Sequence, residues 1–232
     1  MKTLVITGAS KGIGFATATK FCDAGYRVIN FSRNTPPDER IESYAVDLSD
    51  PNIESRITAL LDEHVESEEI CLVHNSATML NDTVRNADAA EFVQALRVNL
   101  VAPQMLNRHL INKMQPGSSI IYLGSTLSEK AVTNTFSYVT SKHAVVGMMR
   151  ATCQDLSATG IHTSCICPGF TDTEMLRTHI GDDEAVLKSI ASLSTFGRLI
   201  EPDEIATAIY YAAQNPVING AVIHANLGQI ES

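Results

Sequence analysis

The sequence lacks the long apolar runs and the positive net charge that mark several broad classes of protein. None of its apolar runs approaches the ~20 residues that a membrane-spanning helix needs. Its net charge of −9 disfavours a nucleic-acid backbone as the main partner. A small anionic ligand remains possible because it needs only a local positive site. We therefore expect a protein that acts on small molecules, without a membrane or a nucleic acid.

Cysteine is scarce, and its spacing shows no pairs. The five cysteines form an odd set, which is typical of reduced thiols in the cytosol. Cys165 and Cys167 lie in the apolar run 163–167, where we interpret them as small hydrophobic residues of a buried strand. No His or Cys pair lies near them, so we predict no metal site. The apolar part of 1–8 is too short for a signal peptide, which favours a cytoplasmic protein.

The chain does contain a regular alternation of short apolar runs and longer helical patterns. Its 232 residues, of which 44% are hydrophobic, suffice for one domain with a large core. Most of the runs are continuously apolar, as expected for strands covered on both faces. We predict one α/β domain over 1–232, a Rossmann-type doubly wound parallel sheet of about seven strands with helices on both faces. The predicted strands are Thr3–Thr7, Arg27–Phe31, Ser43–Val46, Ile70–His74, Ser119–Leu123, His162–Ile166 and Ala221–His224, and the predicted helices lie near 13–24, 52–64, 88–114, 137–158 and 202–213.

A glycine-rich loop stands between the first predicted strand and the first predicted helix. Its glycines are Gly8, Gly12 and Gly14. Glycine permits a tight turn and lets the backbone approach a ligand closely, and a helix amino terminus offers free N–H groups to a pyrophosphate. A loop of this kind at this position predicts a dinucleotide site, with a purely structural turn as the alternative.

The sequence has no acidic residue where NAD-preferring sites place one, about 20 residues beyond the glycines. The segment 31–34 contains Arg33 instead, and a guanidinium suits a 2′-phosphate. Lys11 in the glycine loop adds a positive charge and Ser10 adds a hydroxyl. We therefore predict NADP(H) as the cofactor. Asp47, after the third predicted strand, either receives the adenine amino group or caps a turn.

A tyrosine and a lysine, Tyr138 and Lys142, share one face of a predicted helix. A nearby ammonium favours the ionised form of a phenol, so such a tyrosine can exchange a proton with a substrate oxygen near neutral pH. Taken alone, a pair at this spacing is more often two surface neighbours. Ser125 precedes the tyrosine by thirteen positions, at the end of the fifth predicted strand.

Together these residues resemble the short-chain dehydrogenase/reductase family over essentially the whole chain. Within that family the general pattern is nearest to 3-oxoacyl-[acyl-carrier-protein] reductases. The family's glycine motif, helix asparagine, upstream serine, Tyr-x-x-x-Lys motif and Pro-Gly motif are all present in order. The positions that match them are 7–14, Asn99, Ser125, Tyr138 with Lys142, and 168–173.

The resemblance implies an NADP(H)-dependent oxidoreductase that transfers a hydride between nicotinamide and a carbonyl or alcohol substrate. Tyr138 would be the general acid in carbonyl reduction and the base in alcohol oxidation. Lys142 would assist the tyrosine and hold the nicotinamide ribose, and Ser125 would hydrogen-bond the substrate oxygen. Asn99 would hold a water that links Lys142 to solvent. Two alternatives remain open: a dedicated 3-oxoacyl-thioester reductase, and a nucleotide-sensing regulatory protein without turnover.

The resemblance also implies which residues contact the cofactor. Thr171 and Thr173 would contact the nicotinamide amide and the phosphates. The full set of implied cofactor-binding residues is Gly8, Ser10, Lys11, Gly12, Ile13, Gly14, Arg33, Asp47, Leu48, Asn75, Ser76, Ala77, Tyr138, Lys142, Pro168, Gly169, Thr171 and Thr173.

Two segments depart from the family pattern. The usual Asn-Asn-Ala-Gly appears as 74–77, in which His74 replaces an asparagine and Ala77 a glycine. We interpret His74 as a packed structural residue. The glycine-rich segment after the last strand appears as 225–228, with only Gly228 kept, which affects the carboxy-terminal packing.

The segment 174–196 corresponds to a substrate lid in the family. Its apolar residues, Val186 among them, are spaced as in an amphipathic helix, although such a stripe also occurs in ordinary core packing. We expect a ketone or aldehyde substrate with an apolar part, and a homodimer or homotetramer. Further apolar walls of the predicted pocket are Met79, Leu80, Leu127, Phe136 and Phe170.

Overall fold

A parallel sheet organises the computed structural model, which describes residues 2–66, 68–181 and 183–229. In those residues the sheet has seven strands, in the order β3-β2-β1-β4-β5-β6-β7, and all neighbours are parallel. Met1, Ser67, Asp182 and 230–232 of the predicted domain lie outside the described residues. The strands are β1 Lys2–Thr7, β2 Arg27–Ser32, β3 Ile41–Ala45, β4 Glu69–His74, β5 Ser119–Leu123, β6 His162–Pro168 and β7 Ala221–Ala225.

Helices cover both faces of this sheet. One core cluster joins the sheet to α1 and α8, with Phe21 and Ile209 fully buried. The other joins it to α2, α4 and α5, with Leu106 and Met149 fully buried. The prediction of a Rossmann-type doubly wound fold is therefore confirmed. The helices are α1 Gly12–Asp23, α2 Glu54–His64, α3 Ala89–Leu96, α4 Ala102–Leu110, α5 Phe136–Asp155, α6 Glu174–Ile180, α7 Glu184–Ala191 and α8 Pro202–Gln214.

The predicted helical stretch over 88–114 is confirmed, but it is not α-helical throughout. A π-helical turn, Arg97–Val101, separates α3 from α4. This wider turn accommodates one extra residue, and π-bulges of this kind are frequent at functional sites. Pro103 then occupies the first turn of α4, and because it lacks an N–H it cannot donate to a carbonyl oxygen of the π-helical turn before it. Because the chain remains helical through this turn, the apolar pattern over 88–114 did not predict it.

The parallel arrangement brings the carboxyl ends of all strands to one edge, where doubly wound sheets bind ligands. The predicted lid, 174–196, rises beside this edge as α6 and α7, and none of its described residues is buried. Among the described residues no helix combines the length and the apolar character needed to cross a bilayer.

Candidate active site

The glycine loop between β1 and α1 folds tightly against the chain that follows β4. Gly8 and Gly12 have φ angles of +73° and +56°, which favour glycine. A Cβ on Gly14 would lie 2.3 Å from the Gly8 carbonyl oxygen and 2.4 Å from Nδ2 of Asn75. Gly14 is therefore required by close packing within the protein.

Asn75 anchors the glycine loop from the β4 side. Its Nδ2 donates hydrogen bonds to the carbonyl oxygens of Thr7 at 2.9 Å and Gly8 at 3.0 Å. In return, the Thr7 hydroxyl oxygen accepts from the backbone N–H groups of Asn75 and Ser76. Ala77, which replaces the usual glycine, does not have a positive φ, so this backbone tolerates a Cβ.

The amino terminus of α1 has the features of a phosphate site. Lys11 is its extended N-cap residue, and no side chain caps the first turn, which also contains no acid. The free N–H groups and the helix dipole therefore suit an anion. Ala9 of the same loop donates its N–H to Oδ1 of the buried Asn30 at 2.9 Å. This role of Asn30 was not predicted from the sequence, since its partner lies 21 positions away.

The two basic residues expected to select NADP(H) differ in their surroundings. The exposed side chain of Arg33 has no hydrogen-bond or ion-pair partner within the described part of the chain. Lys11 instead pairs with Glu174 at the start of α6, with 2.5 Å between Nζ and Oε1. Asp47 caps a turn, because Ser49 donates its backbone N–H and its hydroxyl to Oδ1. These bonds lower the pKa of Asp47, and Arg33 adds a smaller electrostatic contribution.

Tyr138 and Lys142 lie in the first two turns of α5 and are both largely buried, with 9% and 4% of their surfaces exposed. Lys142 Nζ donates to the carbonyl oxygen of Leu123 at 2.6 Å, and it lies 5.4 Å from the centroid of the Tyr138 ring. An ammonium carries three donors, so two remain for other acceptors. Within the described residues the Tyr138 hydroxyl has no hydrogen-bond partner, which leaves it available to a substrate.

Ser125 follows β5 and caps the turn that comes after this strand. Its Oγ accepts the backbone N–H of Leu127 at 3.1 Å, and Oγ of Ser128 accepts the N–H of Ser125 in return. This reciprocal cap fixes the serine at the carboxyl end of β5. Because its oxygen serves as the acceptor, its own hydroxyl hydrogen is still free to be donated.

Asn99 connects three parts of the site from inside the π-helical turn. Its side chain exchanges two hydrogen bonds with the backbone of Thr78, at 2.7 and 3.0 Å. Its second Nδ2 hydrogen goes to Oγ of Ser141 at 2.8 Å, and Ser141 donates to the carbonyl oxygen of Tyr138. Both amide hydrogens are thus used, so any contact of Asn99 with the predicted water has to come from another of its atoms. Sequence reasoning missed Ser141.

The segment after β6 closes the cofactor side of the site. Thr173 caps α6 by accepting the N–H of Leu176, and a Cβ on Gly12 would lie 3.4 Å from its Cγ2. The segment therefore reaches the glycine loop. Thr171 donates to the carbonyl oxygen of Gly169, which packs against Asn226 so closely that a Cβ would lie 2.9 Å from Cβ of Asn226.

The two ends of the predicted lid lie side by side, where backbone hydrogen bonds join them. The N–H of Asp172 donates to the Ile200 carbonyl oxygen at 2.8 Å, and the N–H of Ile200 donates to the Phe170 carbonyl oxygen at 2.9 Å. Asp172 also accepts two hydrogen bonds from Arg177 at 2.7 and 2.8 Å, which lower the pKa of the carboxyl. Arg177 is therefore tied to the base of the lid.

His74 is a buried structural residue in this fold. Its Nε2 donates to Oδ1 of Asn107 at 2.8 Å, and its ring packs 4.9 Å from the centroid of Tyr122. Its Nδ1 has no partner among the described residues. Burial lowers the pKa of His74 to about 4, so the ring is neutral at pH 7. Cys165 and Cys167 are likewise buried in β6, as the sequence indicated.

Residues 8–229 match the family model described as Enoyl-(Acyl carrier protein) reductase. Dehydrogenase/reductase SDR family member 6 of Xenopus laevis is 30% identical over 227 residues, which cover 92% of this chain and 90% of that protein. The chain is also 28% identical over 258 residues to the chloroplastic NADPH-dependent aldehyde reductase 2 of Arabidopsis thaliana, covering 98% of this chain and 93% of that protein.

The fold likewise has close counterparts among solved structures. The ligand-free aldohexose dehydrogenase of Thermoplasma acidophilum superposes with a TM-score of 0.89 at 26% identity, covering 98% of this chain and 93% of that one. This match covers the glycine loop, the surroundings of Tyr138 and the predicted lid together.

Proposed function

The chain belongs to the short-chain dehydrogenase/reductase family, and from that premise we propose that it is an NADP(H)-dependent carbonyl reductase. It is an oxidoreductase whose fold binds nicotinamide dinucleotides, and it acts on small molecules. One observation carries the finer proposal. The buried Lys142 ammonium lies 5.4 Å from the Tyr138 ring centroid, while the Tyr138 hydroxyl has no partner in the described residues.

The residues present fit a nicotinamide dinucleotide. The uncapped start of α1 would receive the pyrophosphate. Arg33, with Lys11, would receive the 2′-phosphate, and Lys142 has two donors left for ribose hydroxyls. Thr171 and Thr173 would contact the nicotinamide end. When bound, the cofactor supplies the hydride.

The side chains of this protein would supply the proton and orient the carbonyl. Ser125 donates its free hydroxyl hydrogen to the substrate oxygen and stabilises the charge that develops there. Tyr138 donates the proton that turns this oxygen into a hydroxyl, and it accepts that proton when an alcohol is oxidised. The positive charge of Lys142 lies beside the ring, where it can stabilise the negative charge that develops on the phenol oxygen as the proton leaves.

The preference for NADP(H) rests on Arg33. Its guanidinium is exposed and unpartnered among the described residues, and the segment 31–34 contains no acid to bind a 2′-hydroxyl. The Arabidopsis relative is an NADPH-dependent reductase, which supports the same choice. The substrate is a ketone or aldehyde with an apolar part, since the lid presents apolar side chains such as Met175 and Val186. An acyl thioester is the second candidate, because the description of the matching family model names an acyl-carrier-protein substrate.

The proposed assembly is a homodimer or homotetramer in the cytoplasm. Family members commonly oligomerise, and large apolar side chains are exposed along α3, the π-helical turn and α5: Val93, Val101 and Phe136. Light scattering on the purified protein tests the assembly, and a monomer at micromolar concentration would contradict it.

The deciding experiment compares NADPH with NADH across a panel of aldehydes, ketones, quinones and β-keto thioesters. We expect turnover with NADPH, a higher kcat/KM than with NADH, and loss of that preference in Arg33→Ala. Tyr138→Phe should abolish turnover of the best substrate and leave NADPH binding unchanged. Near-normal turnover in Tyr138→Phe would refute the assignment of the tyrosine, and equal efficiency with NADH would refute the cofactor.

A further inference from the structure

Asp82, in the loop between β4 and α3, is a buried carboxylate that the sequence did not single out; only 7% of its surface is exposed. Its two oxygens accept the backbone N–H of Ser137, at 3.0 Å, and the Ser137 hydroxyl. Its backbone N–H donates to Asn134, and its carbonyl oxygen accepts the N–H of Phe136 at 3.1 Å. Asp82 thus makes four hydrogen bonds to residues 134–137. Within the described residues no cation pairs with it, so these bonds compensate its burial.

These bonds cap the amino terminus of α5 from a distant segment. The first N–H groups of a helix need acceptors, which a side chain at the N-cap usually provides. Here the hydroxyl of the N-cap residue, Thr135, donates to the carbonyl oxygen of Val132, so the Thr135 side chain accepts no hydrogen bond from the helix. The N–H groups of Phe136 and Ser137 go to Asp82 instead. The position of the first turn of α5 therefore depends on the β4–α3 loop.

This first turn carries the residue that matters most for the chemistry, since Tyr138 directly follows Ser137. The same loop begins at Asn75, which holds the glycine loop, and passes Thr78, which Asn99 clamps. One continuous segment thus connects the phosphate end of the site to the start of α5. Asp82 is where this segment meets α5.

We propose that Asp82 is a positioning residue that sets the location of the Tyr138 hydroxyl relative to the substrate oxygen. The inference rests on the proposed function, in which Tyr138 transfers the proton. Proton transfer needs the donor within hydrogen-bond reach, and a misplacement of about 1 Å can cost about 10²-fold in rate. Without the Asp82 carboxylate, the N–H and the hydroxyl of Ser137 lose their acceptors, and the first turn of α5 loosens at the residue before Tyr138. The bond from the Phe136 N–H to the Asp82 backbone carbonyl oxygen remains.

The chain contains a matched control for an ordinary helix cap. Asp88 caps α3 by accepting the N–H groups of Ala90 and Glu91 at 2.8 and 3.1 Å. It has the same chemistry as Asp82, but α3 carries none of the proposed site residues. Asp82→Ala and Asp88→Ala therefore both remove a cap, and only the first removes it beside Tyr138.

The experiment measures kcat, substrate KM and NADPH Kd for Asp82→Ala, Asp82→Asn and Asp88→Ala. We expect Asp82→Ala to lower kcat by tenfold or more and to change the NADPH Kd less than about twofold. Asp82→Asn should restore kcat to within about threefold, because its amide oxygen still accepts from Ser137 and its NH₂ can donate to the Ser137 hydroxyl. Asp88→Ala should keep kcat while its thermal midpoint falls.

Amide hydrogen exchange at Ser137 and Tyr138 provides a readout that needs no turnover. It should be faster in Asp82→Ala than in Asp88→Ala or the parent protein. Unchanged exchange there, or a kcat of Asp82→Ala within twofold of the parent, would overturn the inference; so would an equal loss of kcat in Asp88→Ala. Full activity of Tyr138→Phe would instead refute the proposed function, so the two failures can be told apart. If Asp82→Ala does not fold, a tenfold loss of kcat in Ser137→Ala supports the inference, and unchanged kcat and exchange overturn it.

Discussion

The surroundings of Lys142 and the lid over 174–196 are opposite in construction, although both border the same edge of the sheet. Around Lys142 the polar groups are buried and hydrogen-bonded to one another through Asn99 and Ser141. In the lid, α6 and α7 bury none of their residues. The groups proposed for proton transfer are thus held in the core, where geometry is fixed by packing, whereas the segment proposed for substrate choice lies on the surface and tolerates change.

Among the substitutions that test this difference, Lys142→Met should have the largest effect on kcat. This variant removes the ammonium beside Tyr138 while filling a similar volume, so we expect kcat to fall by about 10²–10³-fold. NADPH should also bind more weakly, because Lys142 is proposed to hold the ribose. Stopped-flow turnover and fluorescence titration measure the two effects separately.

Lys113→Met is the matched control for this substitution. Lys113 Nζ also donates to backbone carbonyl oxygens, those of Leu61 and Val65, but it lies away from the site. We expect this variant to lose some stability and keep its kcat. Equal losses of kcat in the two lysine variants would mean that Lys142 acts only through packing.

The next largest effect concerns the pH dependence of stability in the buried region. The pKa of His74 is about 4 in the fold, because burial disfavours the charged ring, against 6.5 as the ordinary value. The unfolded chain therefore takes up this proton first as the pH falls. Its contribution to stability is complete above pH 6.5 and is lost as the pH falls toward 4, by about 3 kcal/mol.

His74→Asn removes this titrating group and should flatten the corresponding part of the pH profile. Urea unfolding of the parent and the variant between pH 7 and pH 4 gives the comparison, and the difference between the two slopes is the quantity of interest. Parallel slopes would show that the buried ring does not contribute in this way.

We expect the smallest change in the free energy of unfolding from a substitution in the lid. A methionine in the core serves as the comparison. Met175 of α6 is 42% exposed, whereas Met149 of α5 is fully buried. Met149→Ala should cost about 2–5 kcal/mol of unfolding free energy and Met175→Ala less than about 0.5 kcal/mol. Met175→Ala should nevertheless raise the substrate KM several-fold. A large stability loss in Met175→Ala, measured by thermal unfolding, would contradict the description of the lid as weakly packed.

Local pattern was enough to predict the sheet and the motifs at its edge. Continuous apolar runs marked the strands, and the glycine loop marked the start of α1, because both depend on neighbouring residues. Hydrogen bonds between residues far apart in the sequence were not predicted. Asp82 acts on Ser137 from 55 positions away and Asn30 on Ala9 from 21, and neither partner leaves a trace in the local sequence. The π-helical turn was not predicted for a different reason: the chain remains helical through it, so the sequence predicted one helical stretch.

The close approach of the two ends of the lid has a consequence for protein engineering. The chain enters the lid at Phe170 and Asp172 and returns at Ile200, and backbone hydrogen bonds join these two points. A segment whose ends already meet can be exchanged for one of another length without moving the sheet. We therefore expect that the corresponding segment of a relative can be grafted between these points without moving α5. If the lid has its proposed role in substrate choice, the graft transfers the substrate preference of that relative.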